Sequence, residues 1–85
     1  MKQRFEVLVS LKEGLADPQG KAIEDALPSM GWTSVSEVRV GKHIELTVDA
    51  DTEDGALRVA NQVAERLLAN PVIEDFRVIS QAEIT

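Results

Sequence analysis

The chain has 85 residues, enough for one domain, and 44% of them are hydrophobic. Fifteen acids against nine bases leave a formal charge of −6, which argues against the clustered basic surface that duplex nucleic acid requires. No cysteine is present, so disulfides, thiolate nucleophiles and thiolate metal sites are excluded.

The opening run MKQRFEVLVSL is too short and too charged for a signal peptide or a membrane span. A soluble, cytoplasmic protein is expected. Within that run Phe5, Val7, Val9 and Leu11 alternate with Glu6, Leu8 and Ser10, the period-two pattern of a strand. A loop around Gly14 follows. Asp17-Pro18 then signals a helix start, since Asp accepts free backbone N–H groups and Pro suits the first helical position. Ala22, Ile23, Ala26, Leu27 and Met30 recur at helical spacing as one apolar stripe. Gly31 is the natural stop, and Pro28 ends the regular helix early.

Val35, Val38 and Val40 predict a second strand, and Ile44, Leu46 and Val48 a third, joined through Gly41-Lys42-His43. A three-residue loop pairs Val40 with Ile44 and Val38 with Leu46 and keeps one apolar face, which a two-residue loop does not. Asp51 or Thr52 caps a second helix with the stripe Ala56, Leu57, Ala60, Val63, Ala64, Leu67 and Leu68. Asn70-Pro71 breaks it, and a fourth strand runs from Val72 to about Ile79. Residues 1–80 form the domain and 81–85 a weakly ordered tail. The order is βαββαβ, an α+β, two-layer, ferredoxin-like domain with an antiparallel sheet and two helices on one face.

Catalytic equipment is scarce. His43 is the sole histidine and sits at the predicted hairpin, where a solvated loop residue is the commonest case. None of the serines lies in a nucleophile elbow. Glu74 and Asp75 are adjacent on a strand, point to opposite faces and cannot share a substrate. No spacing favours a metal site, and the glycines form no phosphate cradle. No catalytic, cofactor-binding or metal residue is therefore assigned. Leu8, Val72 and Phe76 place apolar side chains where an open sheet face should be polar, which marks them for self-association.

Three places exceed what a core needs. Gly20, in DPQG at 17–20, costs about 0.5–1 kcal/mol against Ala in a helix. The others are VRVGK at 38–42 with IEL at 44–46, and LLANPVIEDF at 67–76. Taken together in this order, these runs resemble the PurS family, the small subunit of phosphoribosylformylglycinamidine synthase, from about Val7 to Val78. The resemblance implies a non-catalytic bridging subunit in purine biosynthesis. It would join a synthetase subunit, which binds ATP and magnesium, to a glutaminase subunit, and support transfer of ammonia to formylglycinamide ribonucleotide. A homodimer or tetramer is implied as well. Asp17, Pro18, Gln19, Gly20, Lys42, Glu45, Asn70, Glu74 and Asp75 are the candidate contacts to those partners. The alternative is a stand-alone regulatory module that binds a small metabolite between protomers.

Overall fold

The alternation at the N-terminus forms β1, Lys2–Leu11, with Phe5, Val7 and Val9 buried and Leu8 and Ser10 exposed. In the computed structural model, which describes residues 1–81, β1 is the central strand of a three-stranded sheet. It is flanked by β2, Gly41–Asp49, and β3, Glu74–Ser80, both antiparallel to it. Helix α1 covers Pro18–Ala26 and helix α2 covers Glu53–Val63. The α+β class and the antiparallel sheet expected from the sequence are what the chain forms.

The register sets one apolar face. Phe5 lies opposite Leu46 and Ser80, Val7 opposite Ile44 and Val78, and Val9 opposite Lys42 and Phe76. Helix α2 packs against all three strands through Ala56 and Ala60, and Ala64 follows one turn on, all three fully buried. Small side chains at intervals of four let the helix approach the sheet closely. The resulting core is thin: Phe5 and three valines supply its bulk, and alanines the rest.

Thr52 caps α2, its hydroxyl accepting from the Gly55 N–H at 2.9 Å, while Glu53 and Asp54 favour the positive end of the helix dipole. Beyond Val63 the helix widens into a π turn over Ala64–Leu68, in which the Ala69 N–H donates to the Ala64 carbonyl at 2.9 Å. That extra residue rotates the stripe. Ala69 is buried and Leu68 half-buried, whereas Leu67, expected in the core, is 78% exposed. Leu67→Ala should therefore change the stability of the monomer by less than about 0.5 kcal/mol, not by the ~2–5 kcal/mol of a core truncation. Urea unfolding at low protein concentration measures the difference.

Two further expectations are corrected. Residues 35–40 form no ladder, and Gly41, Lys42 and His43 open β2 instead of turning a hairpin. The physical reason is a competition for backbone donors. The Val38 N–H donates to Glu24 Oε1 at 2.9 Å and the Val40 N–H to Asp17 Oδ2 at 2.7 Å. Glu37, at φ 57°, breaks the extended run before them.

Helix α1 is thus tied to residues 38–40 and has no comparable contact with any strand. A 3₁₀ turn at Pro28–Met30 and Gly31 at φ 99° end it as Pro28 and Gly31 suggest. Its apolar stripe stays open, with Ile23 at 47% and Met30 at 64% exposure. The body measures 52 × 30 × 14 Å with a radius of gyration of 16.3 Å, against about 12 Å for a compact domain of this length. The tail expected at 81–85 lies, past residue 81, outside the described residues.

Candidate functional site

The three sequence runs converge. A hollow of about 290 Å³ is lined by Asp17 and Gln19 from the first, Gly41 and Lys42 from the second, and Glu74 from the third, with Val9 of the central strand beside them.

Asp17 organises the near wall. Its Oδ1 accepts the Gly20 N–H at 3.0 Å, the expected helix cap, and its Oδ2 accepts the Val40 N–H. Each oxygen is thus engaged by one backbone N–H. The N–H groups of Gly20 and Val40, in that order, hold the carboxyl below its ordinary value, with Arg39 adding a smaller electrostatic pull and burial opposing them. The folded-state value is the lower one, so the lock contributes fully above the unfolded-state value of about 3.9 and is lost as pH falls below it. Asp17→Asn keeps a capping side chain but removes the titration. Its melting temperature should fall less steeply than the parent's below about pH 4. Parallel profiles in a pH series of thermal melts would contradict this.

Gly20 and Gly41 are required by close approach. A Cβ on Gly20 would be driven into the Val38 carbonyl oxygen, and one on Gly41 would lie 2.5 Å from the Val9 carbonyl oxygen. The close backbone approach that Gly20 implies is therefore made within the chain. Pro18 occupies the first turn of α1, and Gln19 is exposed.

Lys42 spans the hollow toward the helix-to-strand junction. Its ammonium donates to the Leu68 carbonyl at 3.3 Å and lies 3.9 Å from Glu74 Oε2. A cation at a helix C-terminus is favourable. The junction is closed on itself: the Asn70 N–H donates to Glu74 Oε1 at 2.7 Å, the Glu74 N–H returns to the Asn70 carbonyl at 2.7 Å, and Asn70 Oδ1 accepts the Val72 N–H at 3.1 Å.

The opposed acids behave as adjacent strand residues must. Glu74 shares the face of Phe76 and Val78, while Asp75 points away and lies 3.8 Å from Lys12. Both find cations inside the chain, so neither is left waiting for a partner. Phe76 is half-buried and packs against the core group of Val7, Val9, Ala64 and Ala69, on the face toward α2. Val72, 79% exposed, precedes β3 instead of lying on it. Leu8 is exposed on the face away from α2. Glu45 lies on that same face, across from Glu6 and 3.4 Å from Arg4, apart from the hollow.

Two contributors were missed. Glu24 holds Val38, and the Arg39 guanidinium donates to the carbonyls of Leu15 at 2.9 Å, Lys12 at 3.3 Å and Leu11 at 3.4 Å, clamping the loop before α1. The available signal was spacing: Asp17, Gly20 and Glu24 fall on one helix face. Loop and clamp enclose a second, larger hollow of about 720 Å³ beside Gly14, Pro18 and Lys21. No helix among the described residues is long and apolar enough to cross a membrane.

With this geometry in place, similarity to known proteins becomes specific. The profile of PurS, phosphoribosylformylglycinamidine (FGAM) synthase, matches residues 4–82. Phosphoribosylformylglycinamidine synthase subunit PurS of Bacillus subtilis is 47% identical over 74 residues, 87% of each chain. The corresponding subunit of Mycobacterium leprae is 42% identical over 80 residues, covering 94% of this chain and 98% of its own. A chain in the solved structure of PurLQS from Thermotoga maritima superposes with a TM-score of 0.87 at 31% identity, over 94% of this chain and 98% of that one.

Proposed function

The chain belongs to the PurS family, and on that premise we propose that it is a non-catalytic subunit of phosphoribosylformylglycinamidine synthase. In this reading it joins the synthetase and glutaminase subunits and supports the passage of ammonia from glutamine to formylglycinamide ribonucleotide. The setting is cytoplasmic purine biosynthesis. ATP and magnesium belong to the synthetase subunit. The observation that carries the reading is the convergence of DPQG, VRVGK and NPVIED on one hollow whose charged groups are spent on holding shape. Asp17 and Lys42 fix backbone to backbone; an adaptor needs a rigid surface of that kind more than it needs a base.

The open apolar stripe of α1, with Ile23 and Met30, and the exposed Trp32 and Val35 favour a homo-oligomer, since a second copy is the simplest cover for such a stripe. Lys42→Ala tests the partner surface. The Lys42 side chain is itself more than half exposed and its contacts are long, so stability should change by only about 0.3–1 kcal/mol. Sedimentation with both large subunits should show weakened assembly. Glutamine-dependent amidation should fall while amidation from added ammonia persists. Normal assembly with unchanged glutamine-dependent rate would remove Lys42 from the interface.

A further inference from the structure

The sheet face away from α2 carries a cluster that the hollow does not use. The β1–β2 register sets Glu6 directly opposite Glu45 and Leu8 opposite His43, which brings the imidazole onto the diagonal from Glu6. His43 Nε2 lies 3.0 Å from Glu6 Oε1. Among the described residues this is the group of three in which His, Asp or Glu side chains bring one ligand atom each within 4.8 Å of one another. Two carboxylates facing each other across a strand pair repel. The nearest cation is Arg4, whose guanidinium reaches Glu45 at 3.4 Å but with both side chains half exposed. Glu6 is the more enclosed acid, its side chain 19% exposed. It sits on the central strand, which is fixed on both sides by its ladders.

We propose that Glu6, His43 and Glu45 form a binding site for one zinc-class divalent cation. Ligand bonds of about 2.0–2.2 Å place donors on a common metal roughly 3–4 Å apart. The observed set closes to that spacing by small side-chain rotations. One imidazole nitrogen with two carboxylates selects zinc or a similar borderline ion over magnesium and calcium, which take oxygen alone. Binding brings His43 Nε2, Glu6 and Glu45 to the ion and releases Arg4 from Glu45. The remaining coordination position faces outward, to water. Three donors on two neighbouring strands need no change of fold, and the ion replaces a like-charge contact with two favourable ones.

The test is titration of the full-length chain, free of any affinity tag, with Zn²⁺ by calorimetry and with Co²⁺ by its visible absorption. One equivalent should saturate the parent. His43→Ala and Glu6→Gln should each weaken binding by about tenfold or more, with circular dichroism unchanged. Glu37→Gln, elsewhere on the surface, should bind as the parent does. Arg4→Ala should bind more tightly, because a competitor for Glu45 is gone; a purely structural role for the cluster would not produce that gain. Affinity unchanged in His43→Ala and Glu6→Gln, or no saturable binding of either ion up to millimolar concentration, would overturn the site.

Discussion

Replacing Phe5 by alanine is expected to destabilise the fold by about 3–5 kcal/mol, as for other buried aromatic truncations. Phe5 is 1% exposed and packs with Val48, Ala56 and Ala60, with Leu46 and Val78 beside them. The buried side chains that meet it, Val48, Ala56 and Ala60, are small, and Leu46 alongside is held in the β2 ladder, so the space left behind closes only in part. A domain of this size has a stability of only about 5–15 kcal/mol, so the variant should lose a large share of it. Its denaturant midpoint should fall sharply in urea unfolding while the slope stays near the parent's. A midpoint shifted no further than by Leu67→Ala would mean that the core does not rest on Phe5.

Gly20→Ala sets two effects against each other, and the sign decides between them. In an exposed helix the change would stabilise by about 1 kcal/mol through helix propensity. Here the new methyl would collide with the Val38 carbonyl, and it would lie 2.9 Å from Asp17 Oδ2. Overpacking of this kind costs about 1–3 kcal/mol, occasionally more. The obstacle on the Val38 side is backbone, which gives way less easily than the end of a flexible side chain. Net destabilisation is therefore expected, with the Asp17 and Glu24 bonds to residues 38–40 broken or lengthened. Urea unfolding reads the sign, and amide exchange at Val38 and Val40 reads the bonds. A more stable variant with both amides still protected would refute the close approach of α1 to residues 38–40.

What the sequence made legible was mostly local. The alternation of Phe5, Val7 and Val9 gives β1, Asp17 caps α1, Thr52 caps α2, and Asn70-Pro71 stops the second helix. Each of these depends on neighbours a few residues away. The failures depend on distant ones. Val35, Val38 and Val40 alternate as a strand would, but the donors at 38 and 40 are captured by carboxylates from α1, 23 and 14 residues away for Asp17 and Glu24 respectively. Leu67 follows the helical period of α2, yet one π turn places Ala69 where Leu67 was expected. Glu74 and Asp75 stand out as unpaired acids only until the sheet brings Lys42 and Lys12 to them. The three motifs were visible one by one, and their meeting around one hollow required the antiparallel register of β2 and β3 on β1.

The same distinction separates shape from function. Glycines 20 and 41, Asp17 and Asn70 are explained by contacts inside the chain. The open stripe of α1, from Ile23 to Met30, is not explained by any such contact.

The most direct measurement reconstitutes the synthetase and glutaminase subunits with and without this chain and follows amidation of formylglycinamide ribonucleotide with glutamine as the nitrogen donor. Activity that depends on the chain, accompanied by its co-sedimentation with both large subunits, is the expected result. An equal glutamine-dependent rate in its absence would contradict a bridging role.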